Sequence, residues 1–356
     1  MPESDVIHIA LAFCDPKGTY ARHAAVTMAS IFVNAPSKQI FVHILHDESL
    51  TSDNRKALYE LAKEYGQNIV FVDVASRFEE LKRKAKNLPL DGYRGTMYRL
   101  FISDVLDADK AIYLDCDIVV EMDIAELWNV SLNNKAAAAV RDVWTLDYLK
   151  GKTIPWRLGK VWDLLGVPRD SYFNAGVMLL NLKKIREEYD LVESVIDFYA
   201  NYRNCITLHD QDFLNWLFAG DVILLDERFN HINLPRDEGQ IAGSIWHMAG
   251  GSAKPWNSYT RPFVDDLYWK YLRKTPYCKK EDDMIRLVLT GLAASSLMHH
   301  HSEDCIKRVW KQIKDNILRA HIWKIPPLLC KLFLKRVGLK RRLTVKKALN
   351  KVRSGK

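Results

Sequence analysis

Asp115 and Asp117 stand one residue apart at the end of an apolar run, residues 111–114, in the string AIYLDCDIVV. Side chains alternate faces along a strand, so both carboxylates point the same way off a buried strand end. Two neighbouring anions repel unless a cation sits between them. A hard divalent ion with oxygen ligands meets that need, and such ions commonly hold substrate phosphates too. A bare D-x-D is also an ordinary pair of solvated acids, so its partners elsewhere in the chain decide the reading.

Residues 244–256 supply candidates, in SIWHMAGGSAKPW. His247 lies at a strand end, and a neutral imidazole is a good ligand for a dication such as Mn²⁺. Gly250 and Gly251 let backbone N–H groups approach an anion, and Lys254 adds a point charge for phosphate. Alone, the histidine reads as structural and the glycines as a turn. With Asp115 and Asp117 they make a coherent set: two Asp and one His around a divalent ion, with the ion and Lys254 around a diphosphate. Three further polar clusters stand out. Tyr98-Arg99 opens an expected helix over residues 97–106. Asn174, Ala175 and Gly176 start a strand with small residues that leave room for a bulky ligand. His209-Asp210-Gln211-Asp212 precedes an apolar helix, with Asp210 its expected N-cap.

These residues need a scaffold. Strand patterns over 7–13, 40–45, 69–74 and 111–114 alternate with helical patterns over 21–33, 52–65 and 97–106. That alternation predicts an α/β domain with a mostly parallel sheet, whose ligands sit at the carboxyl ends of the strands. Asp15, after the first strand, then shares a crevice with Asp115 and Asp117. Further strands are expected over 136–140, 172–182, 222–225 and 244–248, and helices over 191–202 and 211–219. The order of motifs LAFCD, YRLFISDVL, YLDCDIVV, YFNAGVMLLNL, HDQDFLN, RFN and HMAGGSAKPW resembles the family 8 glycosyltransferases. These retaining enzymes include bacterial lipopolysaccharide galactosyl- and glucosyltransferases and glycogenin.

The resemblance implies a GT-A type, Rossmann-like nucleotide-sugar domain with a mixed central sheet. It implies a UDP-sugar donor, UDP-glucose or UDP-galactose, with Mn²⁺ or Mg²⁺. Carried over by position, Asp115, Asp117 and His247 are the metal ligands and Asp15 reads the uracil. Arg99, Asp142, Asn174 (beside Ala175) and Asp210 contact the donor sugar. Gly250 and Lys254 contact the diphosphate. Gln211 lies nearest the anomeric carbon, and Asp212 is the alternative nucleophile. The first-strand loop is longer than the family pattern by two residues, and the His247–Lys254 loop by one.

The chain's net charge of +8 hides an asymmetry: residues 307–356 carry 17 Lys and Arg against one acid, while the rest sums to −8. A catalytic domain over 1–260 and a helical basic region over 261–356 are expected. Bases alternating with Trp310, Ile313, Ile317 and Leu318 read as a membrane-surface element binding anionic lipid. That suits a glycan or lipid-linked oligosaccharide acceptor, such as a lipopolysaccharide core, and an enzyme peripheral to the cytoplasmic face of the membrane. Nucleic acid is the weaker partner, since no reader module accompanies the charge. The six scattered Cys, with no C-x-x-C, argue against a zinc site or disulfide framework and suit a reducing cytosol. The competing functions are a membrane-docked scaffold without turnover, a nucleotide-sugar hydrolase and a glycogenin-like self-glucosylating enzyme.

Overall fold

The computed structural model describes residues 6–85, 90–232, 242–250, 254–256 and 262–278. The basic stretch 307–356 lies outside the described residues. The chain divides into two compact units: Met1–Ala249 with Lys270–Tyr277, and Gly250–Trp269 with Cys278–Lys356.

Among the described residues, the first unit carries strands β1 Val6–Ala12, β2 Gln39–His46, β3 Asn68–Asp73, β4 Lys110–Leu114, β5 Ile118–Val120, β6 Ala137–Arg141, β7 Phe173–Asn181, β8 Val222–Leu225 and β9 Ile245–His247. One sheet runs in the order β3-β2-β1-β4-β7-β6-β8. Its first four strands are parallel, as their crossover connections require. Then β7 enters antiparallel to both β4 and β6, and β8 runs parallel to β6. The sheet is therefore mixed, with its parallel half formed by the N-terminal strands.

Both faces are covered, which explains the near-continuous apolar runs. Ile7, Ile9 and Leu11 of β1 join Ile112 and Leu114 of β4 in one core. Ala10 and Ala12 join Ala111 and Tyr113 in the other. Burying each large aliphatic side chain contributes about 1.5–3 kcal/mol, so this alternation fixes which way every strand-end side chain points.

The segment after β4 is clamped from two sides. The helix Ala21–Asn34 is short on acids and bases, yet Thr27, Ser30 and Asn34 repeat along one of its faces. Thr27 Oγ1 donates to the Ile118 carbonyl at 2.8 Å, Ser30 Oγ accepts from Val120 N–H at 2.9 Å, and Asn34 Nδ2 donates to the Val120 carbonyl at 2.7 Å. That satisfies one edge of β5. The other edge pairs antiparallel with β9, placing Ile118 opposite His247. The two-stranded ribbon brings Ile118 and His247, distant in the chain, to one spot.

The helix expected over 97–106 is instead three short pieces: Arg94–Met97, a 3₁₀ turn Tyr98–Phe101, and Ile102–Val105. The side chains of the 3₁₀ turn explain the break. Tyr98 Oη donates to Asp47 at 2.6 Å and Arg99 reaches two other carboxylates, so both residues are fixed by partners outside the helix.

Candidate active site

Asp115 follows β4 directly, and its N–H donates to the Gly176 carbonyl of β7 at 2.8 Å. Asp117 precedes β5, and its carbonyl accepts from Met248 N–H at 2.9 Å, next to His247. These backbone bonds set the site. His247 Nε2 lies 3.4 Å from Asp117 Oδ1 and 3.7 Å from Asp115 Oδ2. One ligand atom from each residue falls within 4.8 Å of the other two. Three oxygen and nitrogen donors converging on one point, two of them anionic, fit a divalent ion.

Gly176 makes that convergence possible. A Cβ there would fall on His247 Cε1, 2.8 Å from Nδ1 and 3.0 Å from Asp115 Oδ2. The small residues at the start of β7 were expected to leave room for a ligand; at Gly176 the room is taken by the imidazole ring.

Burial pushes the Asp115 carboxyl above its ordinary range; Arg99 opposes that shift, while Asp117 reinforces it. A divalent ion would relieve the repulsion between the two acids. Cys116, between them, is buried, and burial together with the flanking carboxylates pushes its thiol well up. It is a packed thiol rather than a thiolate ligand.

Arg99 is the cationic hub. Its Nη2 donates to Asp115 Oδ1 at 2.9 Å, its Nη1 to the Ala175 carbonyl at 2.8 Å, and its Nε lies 3.1 Å from Asp210 Oδ2. Its guanidinium sits 4.6 Å from the Tyr113 ring centroid, and Tyr113 Oη donates to Asp115 Oδ1 at 2.6 Å. Asp210 is therefore drawn to Arg99 and does not cap its helix. The helix is His209–Leu217, with Leu208 at its N-cap. Asp212 does the bracing: its Oδ2 accepts from Thr207 N–H and Leu208 N–H at 2.7 Å each, and its Oδ1 from Tyr172 Oη at 2.5 Å. It is fully buried.

Asp142, Asn174, Ala175 and Gln211 form a second network. Gln211 Oε1 accepts from Ala175 N–H at 3.1 Å and Asn174 Nδ2 at 3.0 Å. Gln211 Nε2 donates to Asp142 Oδ2 at 3.2 Å, which also accepts from Asn174 Nδ2 at 3.1 Å. Asp142 Oδ1 caps the helix Val143–Leu149 through Trp144 N–H. These bonds hold the Gln211 amide in one orientation.

Asp15 is buried after β1, and its carboxylate accepts from Tyr20 N–H, Ala21 N–H and Asn54 Nδ2 at 2.7, 3.2 and 3.0 Å. Three of about four lone-pair directions are thus used internally. Gly250, with φ +94°, and Lys254 belong to the second unit, where Lys254 Nζ lies 5.8 Å from the Trp256 ring centroid. Gly251 lies outside the described residues.

Three contributors escaped the sequence reading. Tyr113 is on β4, two residues before Asp115, and its hydroxyl reaches that carboxylate. Asp47, at the end of β2, accepts from Tyr98, from Arg94 Nη1 at 3.3 Å and from Ser49. Against the upward push of burial, donation from Ser49 and Tyr98 pulls it down to about 2. Asn230 Oδ1 lies 3.1 Å from His247 Nδ1, and only the fold brings the two together.

Comparison with known proteins agrees with this geometry. The model of glycosyl transferase family 8 matches residues 10–260. A putative glycosyltransferase of Haemophilus influenzae is 31% identical over 219 residues, 61% of this chain and 62% of that protein. The lipopolysaccharide 1,2-glucosyltransferase of Escherichia coli K12 is 33% identical over 147 residues, 41% of this chain and 40% of that protein. The chain thus spans less than two thirds of the length of either. The galactosyltransferase LgtC, solved with donor and acceptor sugar analogues, superposes with a TM-score of 0.62 at 25% identity, covering 78% of this chain and 100% of LgtC. A match that runs from β1 through the whole mixed sheet and past the Asp115–Asp117–His247 cluster settles the kinship: the chain belongs to glycosyl transferase family 8, with a GT-A fold, and is related to lipopolysaccharide glycosyltransferases.

Proposed function

We propose that this protein is a metal-dependent, retaining hexosyltransferase that moves glucose or galactose from a UDP-sugar to a glycan or lipid-linked acceptor such as a lipopolysaccharide core. The observation that carries the reading is the convergence of Asp115, Asp117 and His247, with ligand atoms within 4.8 Å. A divalent ion held there, Mn²⁺ or Mg²⁺, would supply Lewis-acid stabilisation of the charge that grows on the departing diphosphate, worth several kcal/mol.

The chain's own residues do the rest. Arg99 holds Asp115 and Asp210 in fixed geometry and keeps a positive charge beside the two acids. Asp142, Asn174 and Asp210 are assigned to the donor-sugar hydroxyls, which amides and carboxylates bond directionally. Asp15 is assigned to the uracil through its remaining lone pair. For Gly250 and Lys254 as diphosphate contacts, the assignment rests on the sequence motif. Retention needs either a covalent intermediate or attack from the face the leaving group departs. An amide is a poor nucleophile, and the oxygens of Asp212 are occupied by backbone and Tyr172 donors. This favours front-face attack, with Gln211 assigned beside the anomeric carbon in the orientation that its bonds to Ala175, Asn174 and Asp142 set. Bringing the acceptor hydroxyl alongside lowers the barrier through lost entropy already spent in binding.

The lipopolysaccharide glucosyltransferase of Escherichia coli supports a lipid-linked acceptor. So does the basic stretch 307–356, which is assigned to the cytoplasmic membrane surface. No described helix is long and apolar enough to cross a membrane. Sedimentation with anionic but not neutral vesicles, abolished by deleting residues after Lys307, is the expected result for the stretch.

The test of the activity is UDP release from UDP-glucose and UDP-galactose in Mn²⁺. One donor should turn over slowly without acceptor and faster with a lipopolysaccharide-core acceptor. EDTA or Asp117→Ala should abolish both rates. Full turnover in EDTA would refute the metal assignment, and turnover indifferent to any acceptor would favour a hydrolase.

A further inference from the structure

We infer that Asn230 is a positioning residue that fixes the tautomer of His247 and so presents its Nε2 lone pair to the carboxylate pair; this rests on the metal reading above. The Gly176 backbone fixes the polarity of the whole relay. Gly176 N–H can only donate, and it meets the Asn174 side chain at 3.0 Å, which makes that end Oδ1. The other end of Asn174, as Nδ2, then faces two acceptors, Asp142 Oδ2 and Gln211 Oε1. Asn174 Oδ1 also receives Asn230 at 2.8 Å, so that end of Asn230 must be its Nδ2. The remaining end of Asn230 is an oxygen, and it lies 3.1 Å from His247 Nδ1. An oxygen without a proton can only accept. His247 Nδ1 must carry the hydrogen, and in the neutral ring Nε2 is left as the free lone pair, aimed between Asp115 and Asp117.

The backbone supports this order. Asn230 ends the 3₁₀ turn Glu227–Phe229, which Asp226 caps through Arg228 N–H. His231 bridges to Trp246, donating to the Ile245 carbonyl at 2.7 Å and accepting from His247 N–H at 3.1 Å. Asn230 and His247 are both buried. A buried hydrogen bond on a ring nitrogen that orients the other nitrogen is the usual support of a metal-binding imidazole, and its loss costs about 10–100-fold in affinity. Asn230 also ties the cluster to the Asn174–Gln211 network, so one relay links the metal ligands to the residue assigned to the anomeric carbon.

The test uses the full chain labelled with [¹⁵N]histidine, in mildly alkaline, metal-free buffer, with His247 assigned by difference from His247→Gln. The wild type should show His247 protonated at Nδ1. Asn230→Leu keeps the bulk and leaves Asn174 Oδ1 with Gly176 N–H, and it should turn His247 to the Nε2–H form. Asn230→Asp retains an acceptor and should restore Nδ1–H. Mn²⁺ binding followed by electron paramagnetic resonance should weaken about 10–100-fold in Asn230→Leu and recover most of the loss in Asn230→Asp. Finding Nδ1 bare in the wild type would overturn the inference even if Asn230→Leu fails to fold. So would Mn²⁺ affinity and tautomer unchanged in a folded Asn230→Leu. If the wild type shows Nδ1–H but binds no Mn²⁺, the metal reading falls and the assignment of the ring proton stands.

Discussion

Replacing Gly176 by Ala asks the most of the geometry with the fewest atoms. The added methyl falls on the His247 ring carbon and lies 2.8 Å from Nδ1, so the ring must turn away. Overpacking of this kind costs about 1–3 kcal/mol, and breaking the His247–Asn230 bond costs about 0.5–1.5 kcal/mol more. Against this, Gly176 sits in a strand without a positive φ, so alanine recovers roughly 0.5–1 kcal/mol of backbone entropy. The net expectation is a loss of about 0.5–4 kcal/mol, or about 1–16 °C in Tm for a domain of this size. Metal binding should suffer more than stability. At an Mn²⁺ concentration about 100 times the wild-type Kd, the ion stabilises the wild type by about 2.7 kcal/mol; with affinity about 100-fold weaker the gain falls to about 0.4 kcal/mol. Thermal unfolding with and without Mn²⁺ reads both numbers. A Gly176→Ala protein that melts like the wild type and gains as much from Mn²⁺ would show that the ring does not occupy that space.

Other outcomes follow from the same site. Burial and Asp117 raise the Asp115 carboxyl, so the metal-free protein keeps the associated stability fully only below the unfolded carboxylate value, about pH 4, and loses it as pH rises through the raised value. The Tm increment from Mn²⁺ should therefore grow from acidic to neutral buffer in the wild type and not in Asp115→Asn; a pH-independent increment would count against coupled carboxylates. Arg99→Met removes the buried partner of both Asp115 and Asp210 and should cost about 3–5 kcal/mol in urea unfolding, where an exposed pair would cost less than about 1 kcal/mol. Gln211→Ala should lower kcat with little change in donor KM, as expected for a residue acting in the transition state; near-full activity would dismiss the Gln211 assignment.

The parallel half of the sheet was legible because β1, β2 and β4 are largely buried and read as apolar runs; at the opposite edge the expected strand over 222–225 coincides with the half-buried β8. Asp115 and Asp117 were legible as two acids just past a buried strand, but a turn between β4 and β5, not alternation along one strand, sets how they face each other. Gly176 was read correctly as small but for the wrong occupant, since which side chain fills a gap depends on the β5–β9 pairing. The same non-local pairing hides Asn230, whose role exists only once His231 bridges to Trp246. The broken helix after Arg94 was missed because apolar spacing cannot show that Tyr98 and Arg99 are held by carboxylates on three other segments. For Asp210, capping propensity was outweighed by a buried arginine, a stronger partner than a backbone N–H.

Titrating Mn²⁺ into the purified full chain, with free ion counted by electron paramagnetic resonance, isolates the cluster from every question of donor and acceptor. One ion should bind per chain, and Asp115→Ala, Asp117→Ala and His247→Ala should each abolish or greatly weaken it while the folded spectrum persists. Undiminished binding in folded His247→Ala and Asp117→Ala proteins would mean the ion, if any, is held elsewhere.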